Sequence, residues 1–327
     1  MLKKLRNKIF ISVAIAALIG IIFSFYANIS QLESAFERFS YAILPLIPLC
    51  AFINYMFRFA RWEYYLRILG IQVPRSESFE VFISSLSMAV TPGKMGEVMK
   101  SYFLKSMRGV PISKSAPIIV AERITDSLDL LIISLIGAYS IGYGKDVILF
   151  TAVLFAVLIG IISSRTLSMK IIRTAEKIPF VAKRIKPIEV AYESSRVILT
   201  GKALIISTAV GLVGWFIECL GFLLVLEGLN VHLKYLSASF IYAFSLVIGS
   251  ISFLPGGLGV TETSLTGLLV LAKIPRNAAV AATFIVRAAT LWFAVIIGVG
   301  MLSYMQKRHA VALDGKPENN PASPGTE

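Results

Sequence analysis

The amino-acid sequence predicts an all-α, polytopic membrane protein. Of its 327 residues, 56% are hydrophobic and only 16% are charged, whereas soluble domains carry about 25% charged residues. The mean hydropathy is +0.77. Apolar segments such as residues 9–29 and 147–164 reach or approach the roughly 20 residues that a helix needs to cross a bilayer. Helices are predicted because the strands of a membrane barrel would alternate between apolar and polar residues.

In chain order, the apolar segments predict six full crossings and two interrupted ones. The full crossings are predicted at residues 9–29, 40–60, 117–143, 147–164, 203–227 and 277–305, and the interrupted segments at residues 79–105 and 236–273. The piece after each interruption is too short to cross a bilayer alone, so each interrupted segment is predicted to be a re-entrant hairpin. The alternative is that both interruptions are surface loops between short crossings, which gives eight transmembrane helices.

A single transmembrane domain is expected over residues 1–305. It contains a first repeat at 40–143, a basic cytoplasmic loop at 165–202 and a second repeat at 203–305. Residues 306–327 are rich in Pro, Asn, Gly and Ser and are expected to form a disordered tail.

The positions of the basic residues predict the orientation of the chain. The formal net charge is +13, and nine Lys and Arg residues lie in the loop 165–202, whereas residues 31–37 contain no base. This is the positive-inside distribution of a membrane protein, and it does not indicate nucleic-acid binding. We therefore expect a plasma-membrane protein with cytoplasmic N- and C-termini. The basic loop would also suit anionic lipid headgroups.

The cysteines and histidines do not indicate a metal centre. Cys50 and Cys219 both lie inside apolar segments, and the chain has only two histidines. This composition offers neither a disulfide framework nor a Cys/His metal site. No metal and no cofactor are therefore expected.

The two interruptions share a motif. "PGKMGE" begins at Pro92 and "PGGLGVTE" begins at Pro255, which is 255 − 92 = 163 residues later. In the predicted topology, the helix before the first interruption runs inward and the helix before the second runs outward, so the repeats are inverted. Paired Gly/Pro interruptions in inverted repeats indicate the binding site of a transporter.

Two further matches support the repeat. Upstream of the interruptions, Gly70 aligns with Gly228, an offset of 158 that requires a five-residue insertion. Downstream, Arg123 aligns with Arg287, an offset of 164, and each lies inside the next long helix. The two halves of the chain are therefore expected to resemble each other.

The interruptions are expected to bind an anionic headgroup. Glycines let the backbone approach a ligand closely, and the helices that restart near Glu97 and Thr261 direct free N–H groups towards it. Lys94 either adds a charge there or extends to the interface. Glu262, like Glu97, is placed in a first helical turn, and Thr261 is expected to cap its helix. The predicted headgroup-binding residues are Pro92, Gly93, Lys94, Gly96, Glu97, Glu122, Arg123, Asp126, Pro255, Gly256, Gly257, Gly259, Thr261, Glu262 and Arg287.

The predicted crossing at 117–143 carries charges on one face. Glu122, Asp126 and Asp129 follow each other at i, i+4 and i+7, and Arg123 reaches Asp126 at i+3. Charges at membrane depth line the protein interior. We therefore expect Arg123 and Arg287 to bind phosphate or to pair with the two glutamates of the interruptions. A purely structural salt-bridge network is the alternative.

Three other charged residues in apolar segments are interpreted differently. Arg58 and Arg61, near the predicted inner end of the crossing 40–60, are interpreted as positive-inside residues. Glu218 lies in the middle of a crossing, and Arg287 is its candidate partner.

The motifs "TPGKMGEVMKSYFL", "ERITDSLDLL" and "SFLPGGLGVTETSL" occur in this order. With them, nearly the whole chain resembles the transmembrane region of lysylphosphatidylglycerol synthases and its stand-alone, flippase-like relatives. In the synthases this region looks like a lipid translocator, and a separate soluble domain makes the aminoacylated lipid. Here about 22 residues follow the last predicted crossing, so the resemblance implies transport without synthesis.

The leading functional hypothesis is a lipid translocase that moves an anionic phospholipid or a polyprenyl-phosphate-linked lipid between leaflets. The expected partners are therefore membrane lipids with an anionic headgroup, and no enzymatic activity is expected. The second hypothesis is an intramembrane enzyme, such as a prenyl-pyrophosphate phosphatase or headgroup transferase, but the sequence shows no nucleophile with a base partner. A third hypothesis is a scaffold subunit for a membrane glycosyltransferase. In that case the partner would be a lipid-modifying enzyme.

Overall fold

The computed structural model describes residues 39–91, 96–141, 153, 185–252 and 254–308, which form helices and turns with no strand among them. Outside this part lie the predicted crossing 9–29, the crossing 147–164 apart from Val153, residues 165–184 of the basic loop, and the tail beyond Arg308. Pro92, Gly93 and Lys94 of the first interruption also lie outside the described residues.

The helices are α1 Leu46–Ile68, α2 Arg75–Ser85, α3 Met99–Arg108, α4 Ile112–Ile141, α5 Ile185–Ile198, α6 Gly201–Gly228, α7 Tyr235–Ile251, α8 Val260–Leu271, α9 Arg276–Arg287 and α10 Phe293–Arg308. A π-helical segment, Ala288–Trp292, joins α9 to α10. Both predicted interruptions are breaks between helices, one between α2 and α3 and the other between α7 and α8.

Three helical stretches among the described residues are long and apolar enough to cross a membrane. They are Tyr41–Ile68, Gly201–Gly228 and Arg276–Arg308. Helix α4 has 30 residues and is long enough to cross, but it is not one of the three because it carries the predicted acidic face. The prediction of an all-α, polytopic membrane protein is confirmed.

The two halves of the chain turn in the same way before their breaks. After α1, Gly70 has a φ of 60° and the Ile71 N–H bonds to the Leu66 carbonyl; after α6, Asn230 has a φ of 57° and the Val231 N–H bonds to the Leu226 carbonyl. These turns are 230 − 70 = 160 residues apart.

The alignment of Gly70 with Gly228 is therefore wrong. Gly228 is the last residue of α6, and the position that follows the helix in the left-handed conformation is Asn230. Asparagine is one of the few residues besides glycine that adopts positive φ readily, so a search for a matching glycine finds the wrong residue.

The halves also match after their breaks. Helix α3 is followed by Gly109 with a φ of 67°, and α8 is followed by Lys273 with a φ of 66°. Pro111 and Pro275 then precede α4 and α9. The offset here is 273 − 109 = 164, so the second interrupted segment is 164 − 160 = 4 residues longer than the first.

Helices α1 and α6 occupy equivalent places in the two halves and run antiparallel. A Cβ on Gly214 would lie 3.0 Å from the Cβ of Phe57, and a Cβ on Gly221 would lie 3.0 Å from the Cβ of Cys50. Residue numbers rise along α6 while they fall along α1. Antiparallel packing of equivalent helices is the arrangement that an inverted repeat requires.

The halves also interlock. Helix α4 of the first half packs on α7 of the second, where Gly137 lies against Phe240. Helix α10 of the second half packs on α2 of the first, where Arg308 Nη1 donates to Glu80 Oε1 at 2.5 Å. A long helix downstream of each break, α4 or α10, thus packs on the helix that precedes the other break, α7 or α2.

Replacing Gly298 by alanine should destabilise the protein. A Cβ at this position would lie 2.8 Å from the carbonyl carbon of Leu86 and 2.9 Å from the Cα of Ser87, and such overpacking costs about 1–3 kcal/mol. Thermal unfolding in detergent measures the effect.

The matched control is Gly300→Ala. Nothing lies within 4 Å of a Cβ at Gly300, so this variant should keep its stability or gain up to about 1 kcal/mol. An equal loss in both variants would contradict the close packing of α10 on the segment that directly follows α2.

Candidate functional site

The two breaks contact each other. Ala89 and Val90 of the first break form a small apolar cluster with Leu258 of the second break and with Leu291 of the π-helical segment. A Cβ on Gly256 would lie 3.5 Å from the Cα of Val90. The broken parts of both halves and the π-helical segment therefore meet at one place.

An arginine–glutamate pair holds the second break. Arg287 Nη2 donates to the carbonyl of Gly256 at 2.7 Å, and its Nε donates to Glu262 Oε1 at 2.6 Å. The other carboxylate oxygen, Oε2, accepts the N–H of Gly259 at 2.7 Å. The pair therefore satisfies one carbonyl and one N–H of the broken backbone. The structure shows the predicted contact between Arg287 and Glu262.

Thr261 was expected to cap the N-terminus of α8, but it does not. Gly259 occupies the N-cap position, and Glu262 at the third helical position accepts its N–H. The side chain of Thr261 is buried and faces Gly249 and Gly257, which have no room for a Cβ beside its hydroxyl. The glycines allow α7 and the break to approach Thr261 closely.

The described part of the first break is held in a related way. The Gly96 N–H bonds to Thr91 Oγ1 at 2.8 Å. Arg123 Nη2 donates to Glu97 Oε2 at 3.1 Å, and Glu97 is buried. The Glu97–Arg123 pair thus has the same place in the first half as the Glu262–Arg287 pair in the second. The predicted contact of Arg123 with Glu97 is present.

A wider network of charges surrounds the pair in the first half. Lys100 Nζ lies 2.5 Å from Glu122 Oε2 and 3.8 Å from Glu97 Oε2. The ammonium also lies 4.8 Å from the centre of the Trp62 ring and 5.0 Å from that of Phe82, which suits a cation–π interaction. The pairing of Lys100 with Glu122 was not predicted from the sequence.

Arg58 and Arg61 also belong to this network, so their interpretation as positive-inside residues is wrong. Arg61 contacts Asp126, and its Nη1 lies 2.9 Å from Asp129 Oδ2. Arg58 Nη2 lies 3.4 Å from Asp126 Oδ2, and both arginines are buried. A signal was present in the sequence: the arginines are three residues apart on α1, and the aspartates are three residues apart on α4.

We call these connected side chains the first-half network. Its members are Arg58, Arg61, Lys100, Arg123, Glu97, Glu122, Asp126 and Asp129. Four bases and four acids give a formal charge of zero. The side chain of Arg123 is 24% exposed, whereas those of the other seven are at most 9% exposed. Arg123 is therefore the member that a ligand reaches most easily.

The second half replaces most of this network with uncharged groups. By the offset of 160, Glu218 stands where Arg58 stands in the first half; by the offset of 164, Thr290 stands where Asp126 stands. Tyr242 Oη donates to Glu218 Oε1 at 2.7 Å. Tyr55 Oη donates to the Thr290 carbonyl in the π-helical segment at 2.7 Å.

Comparison with known proteins agrees with this architecture. The chain matches the model of the family described as "Lysylphosphatidylglycerol synthase TM region" over residues 9–298, which include both breaks. It is 26% identical over 243 residues to a UPF0104 membrane protein of Methanocaldococcus jannaschii, covering 70% of this chain and 96% of that protein. It is 30% identical over 87 residues to a UPF0104 membrane protein of Methanothermobacter thermautotrophicus, covering 27% of this chain and 26% of that protein. The resemblance is confirmed, and this multi-pass membrane protein belongs to the family of the lysylphosphatidylglycerol synthase transmembrane region.

Proposed function

We propose that the protein is a lipid translocase, which moves an anionic headgroup between leaflets through the polar region at the two breaks. The observation that carries this proposal is the pair of Glu–Arg contacts at equivalent places in the two halves, beside breaks that touch each other. The lipid tails stay in the bilayer. Both interrupted segments are re-entrant in this proposal, and the protein lies in the plasma membrane with cytoplasmic termini.

Arg123 is the first ligand of the headgroup in this proposal. Its side chain is the most exposed of the first-half network, and a guanidinium binds phosphate through paired, charge-assisted hydrogen bonds. A phosphate would take the place of the Glu97 carboxylate on Arg123. Glu97 would then remain compensated by Lys100, whose Nζ lies 3.8 Å away.

Arg287 is the corresponding ligand on the opposite side. Its guanidinium is engaged with Glu262 and with the Gly256 carbonyl, and its side chain is only 8% exposed. Rocking of one inverted half against the other would expose Arg287 and bury Arg123. The substrate is accordingly a lipid with a phosphate near its headgroup, either an anionic phospholipid or a polyprenyl-phosphate-linked lipid.

Removal of the first pair tests this role. The double variant Glu97→Gln, Arg123→Gln should fold, because it leaves no uncompensated buried charge of the pair. Headgroup movement in proteoliposomes should nevertheless fall by about 10- to 100-fold, since a charge-assisted contact is worth roughly 1.5–3 kcal/mol. A fluorescent or radiolabelled phospholipid followed by a leaflet-selective quencher or extraction step gives the rate.

The control is Arg108→Gln. Arg108 pairs with Glu77 at the exposed end of α3, so its loss should leave the rate unchanged within about twofold. Full transport by the double variant would make the Glu97–Arg123 pair a structural contact only. Release of phosphate from a prenyl pyrophosphate by the purified protein would favour an intramembrane phosphatase over a translocase.

A further inference from the structure

The two halves differ in the helix that carries the paired arginine. In the second half, Arg287 is followed at once by the π-helical segment Ala288–Trp292. By the offset of 164, the equivalent residues are 124–128, and they follow Arg123 inside α4, which is α-helical from Ile112 to Ile141. The side chain of Arg123 is 24% exposed and that of Arg287 is 8% exposed. The more buried arginine therefore goes with the π-helical form, and the more exposed one goes with the α-helical form.

Tyr55 of the first half supports the π-helical segment of the second half. The Phe293 N–H bonds to the Ala288 carbonyl, which lies five residues back instead of the four of an α-helix. This change disturbs the regular pairing of carbonyls with N–H groups, and Tyr55 Oη donates to the Thr290 carbonyl at 2.7 Å. A side-chain donor that reaches into the backbone ladder in this way favours the irregular turn. The hydroxyl of Tyr55 therefore stabilises the π-helical form.

Trp215 has the place in the second half that Tyr55 has in the first. Their offset is 215 − 55 = 160, the one that relates α6 to α1, and both side chains end an aromatic ring in one hydrogen-bond donor. Trp215 is buried, and its Nε1–H has no hydrogen-bond partner among the described residues. A buried donor without a partner is costly and requires an explanation.

Trp215 lies on the face of α6 that packs against α4. Gly211 is four residues before Trp215 and therefore shares its helix face, and a Cβ on Gly211 would overlap Asp129 Oδ2. Trp215 also belongs to the same buried apolar cluster as Leu130 of α4. In an α-helix the N–H of Leu130 bonds to the carbonyl of Asp126, the equivalent of Thr290. Trp215 thus faces a regular helix, where Tyr55 faces a π-helical one.

We propose that the π-helical segment changes halves between two states of the protein, and that Trp215 is the positioning residue that supports it in the first half. In the second state, residues 124–128 take the π-helical form directly after Arg123, and Trp215 Nε1 donates to the Asp126 carbonyl. Residues 288–292 become α-helical as Tyr55 releases Thr290. Because the halves are inverted, exchanging their conformations turns a state open to one side into a state open to the other.

The exchange would move the two arginines in opposite senses. Successive residues of an α-helix are rotated by roughly 100°, so one residue more or less in a turn rotates the preceding helix by about that angle. Arg123 and Arg287 immediately precede the two segments. Each exchange would therefore turn one arginine towards the headgroup and the other away from it. This role in transport rests on the proposed translocase function, whereas the exchange itself does not.

The tryptophans of the chain report the exchange without any lipid. The chain has three: Trp215, Trp292 inside the π-helical segment, and Trp62, whose Nε1 donates to Ser78 Oγ at 3.0 Å and which serves as the reference. Fluorotryptophan is incorporated into the detergent-purified protein, and each fluorine NMR signal is assigned by a Trp→Phe variant. Trp215 and Trp292 should show the same minor fraction, because one exchange changes both environments.

Tyr55→Phe should raise this minor fraction about 2- to 10-fold at both tryptophans, because the state seen here loses one hydrogen bond. Tyr304→Phe is the control, since Tyr304 is 53% exposed on α10, and it should leave the fraction unchanged. A Trp292 signal that does not respond to Tyr55→Phe would overturn the proposal.

Two variants of Trp215 separate its donor from its packing. In the Tyr55→Phe protein, where the minor fraction is largest, Trp215→Phe should lower the fraction seen at Trp292 by about 2- to 10-fold. Trp215→Tyr keeps a donor, as the equivalent position 55 does, and should stay closer to the parent protein. A purely structural Trp215 would give the same spectrum with either residue, and that result would overturn its positioning role.

The place of the exchange in transport is tested in proteoliposomes. Trp215→Phe should slow headgroup movement about 2- to 10-fold, because the second state becomes rarer, and Trp215→Tyr should restore much of the rate. A wild-type rate in a Trp215→Phe protein with an altered spectrum would remove the exchange from the transport cycle. A wild type that shows the exchange but moves no lipid would refute the translocase function and leave the exchange standing.

Discussion

The contact between Arg287 and Glu262 is the interaction on which the arrangement of the breaks depends. A chain that leaves its helix at membrane depth has backbone groups that lipid cannot satisfy. Arg287 satisfies the Gly256 carbonyl, Glu262 satisfies the Gly259 N–H, and the two side chains neutralise each other. The break can therefore persist beside Val90, where the two broken segments contact each other.

The two halves share a backbone plan but differ in the groups that support it. In the first half, four bases and four acids hold α1, α3 and α4 together. In the second half, uncharged residues replace most of these charges, and Tyr55 donates to the Thr290 carbonyl of the π-helical segment. π-helical segments often occur at functional sites. Because fewer ion pairs would have to separate, we expect the second half to rearrange more easily than the first.

The sequence allowed the helix breaks and both Glu–Arg contacts to be predicted, because an offset repeated across the chain places those residues at matching points. It did not separate Arg58 and Arg61 from ordinary interfacial arginines, since a basic residue near a predicted helix end looks the same whether it faces headgroups or a buried aspartate. The partner of Lys100 also depends on packing between α3 and α4. The alignment of Gly70 with Gly228 was wrong because the residue that matches Gly70 is an asparagine. Asn230 takes the positive φ that Gly70 takes in the first half.

The central claim is that two inverted halves bring equivalent breaks together from opposite sides of the membrane. Arg108 and Ala272 are both exposed, and they end or follow α3 and α8 at equivalent positions, 272 − 108 = 164 residues apart. Single cysteines at these positions, in a protein with Cys50 and Cys219 replaced by serine, can be labelled with an impermeant maleimide in oriented membranes. The account predicts that Arg108→Cys is labelled from the cytoplasmic side and Ala272→Cys from the outside. Labelling of both from the same side would contradict the inverted arrangement.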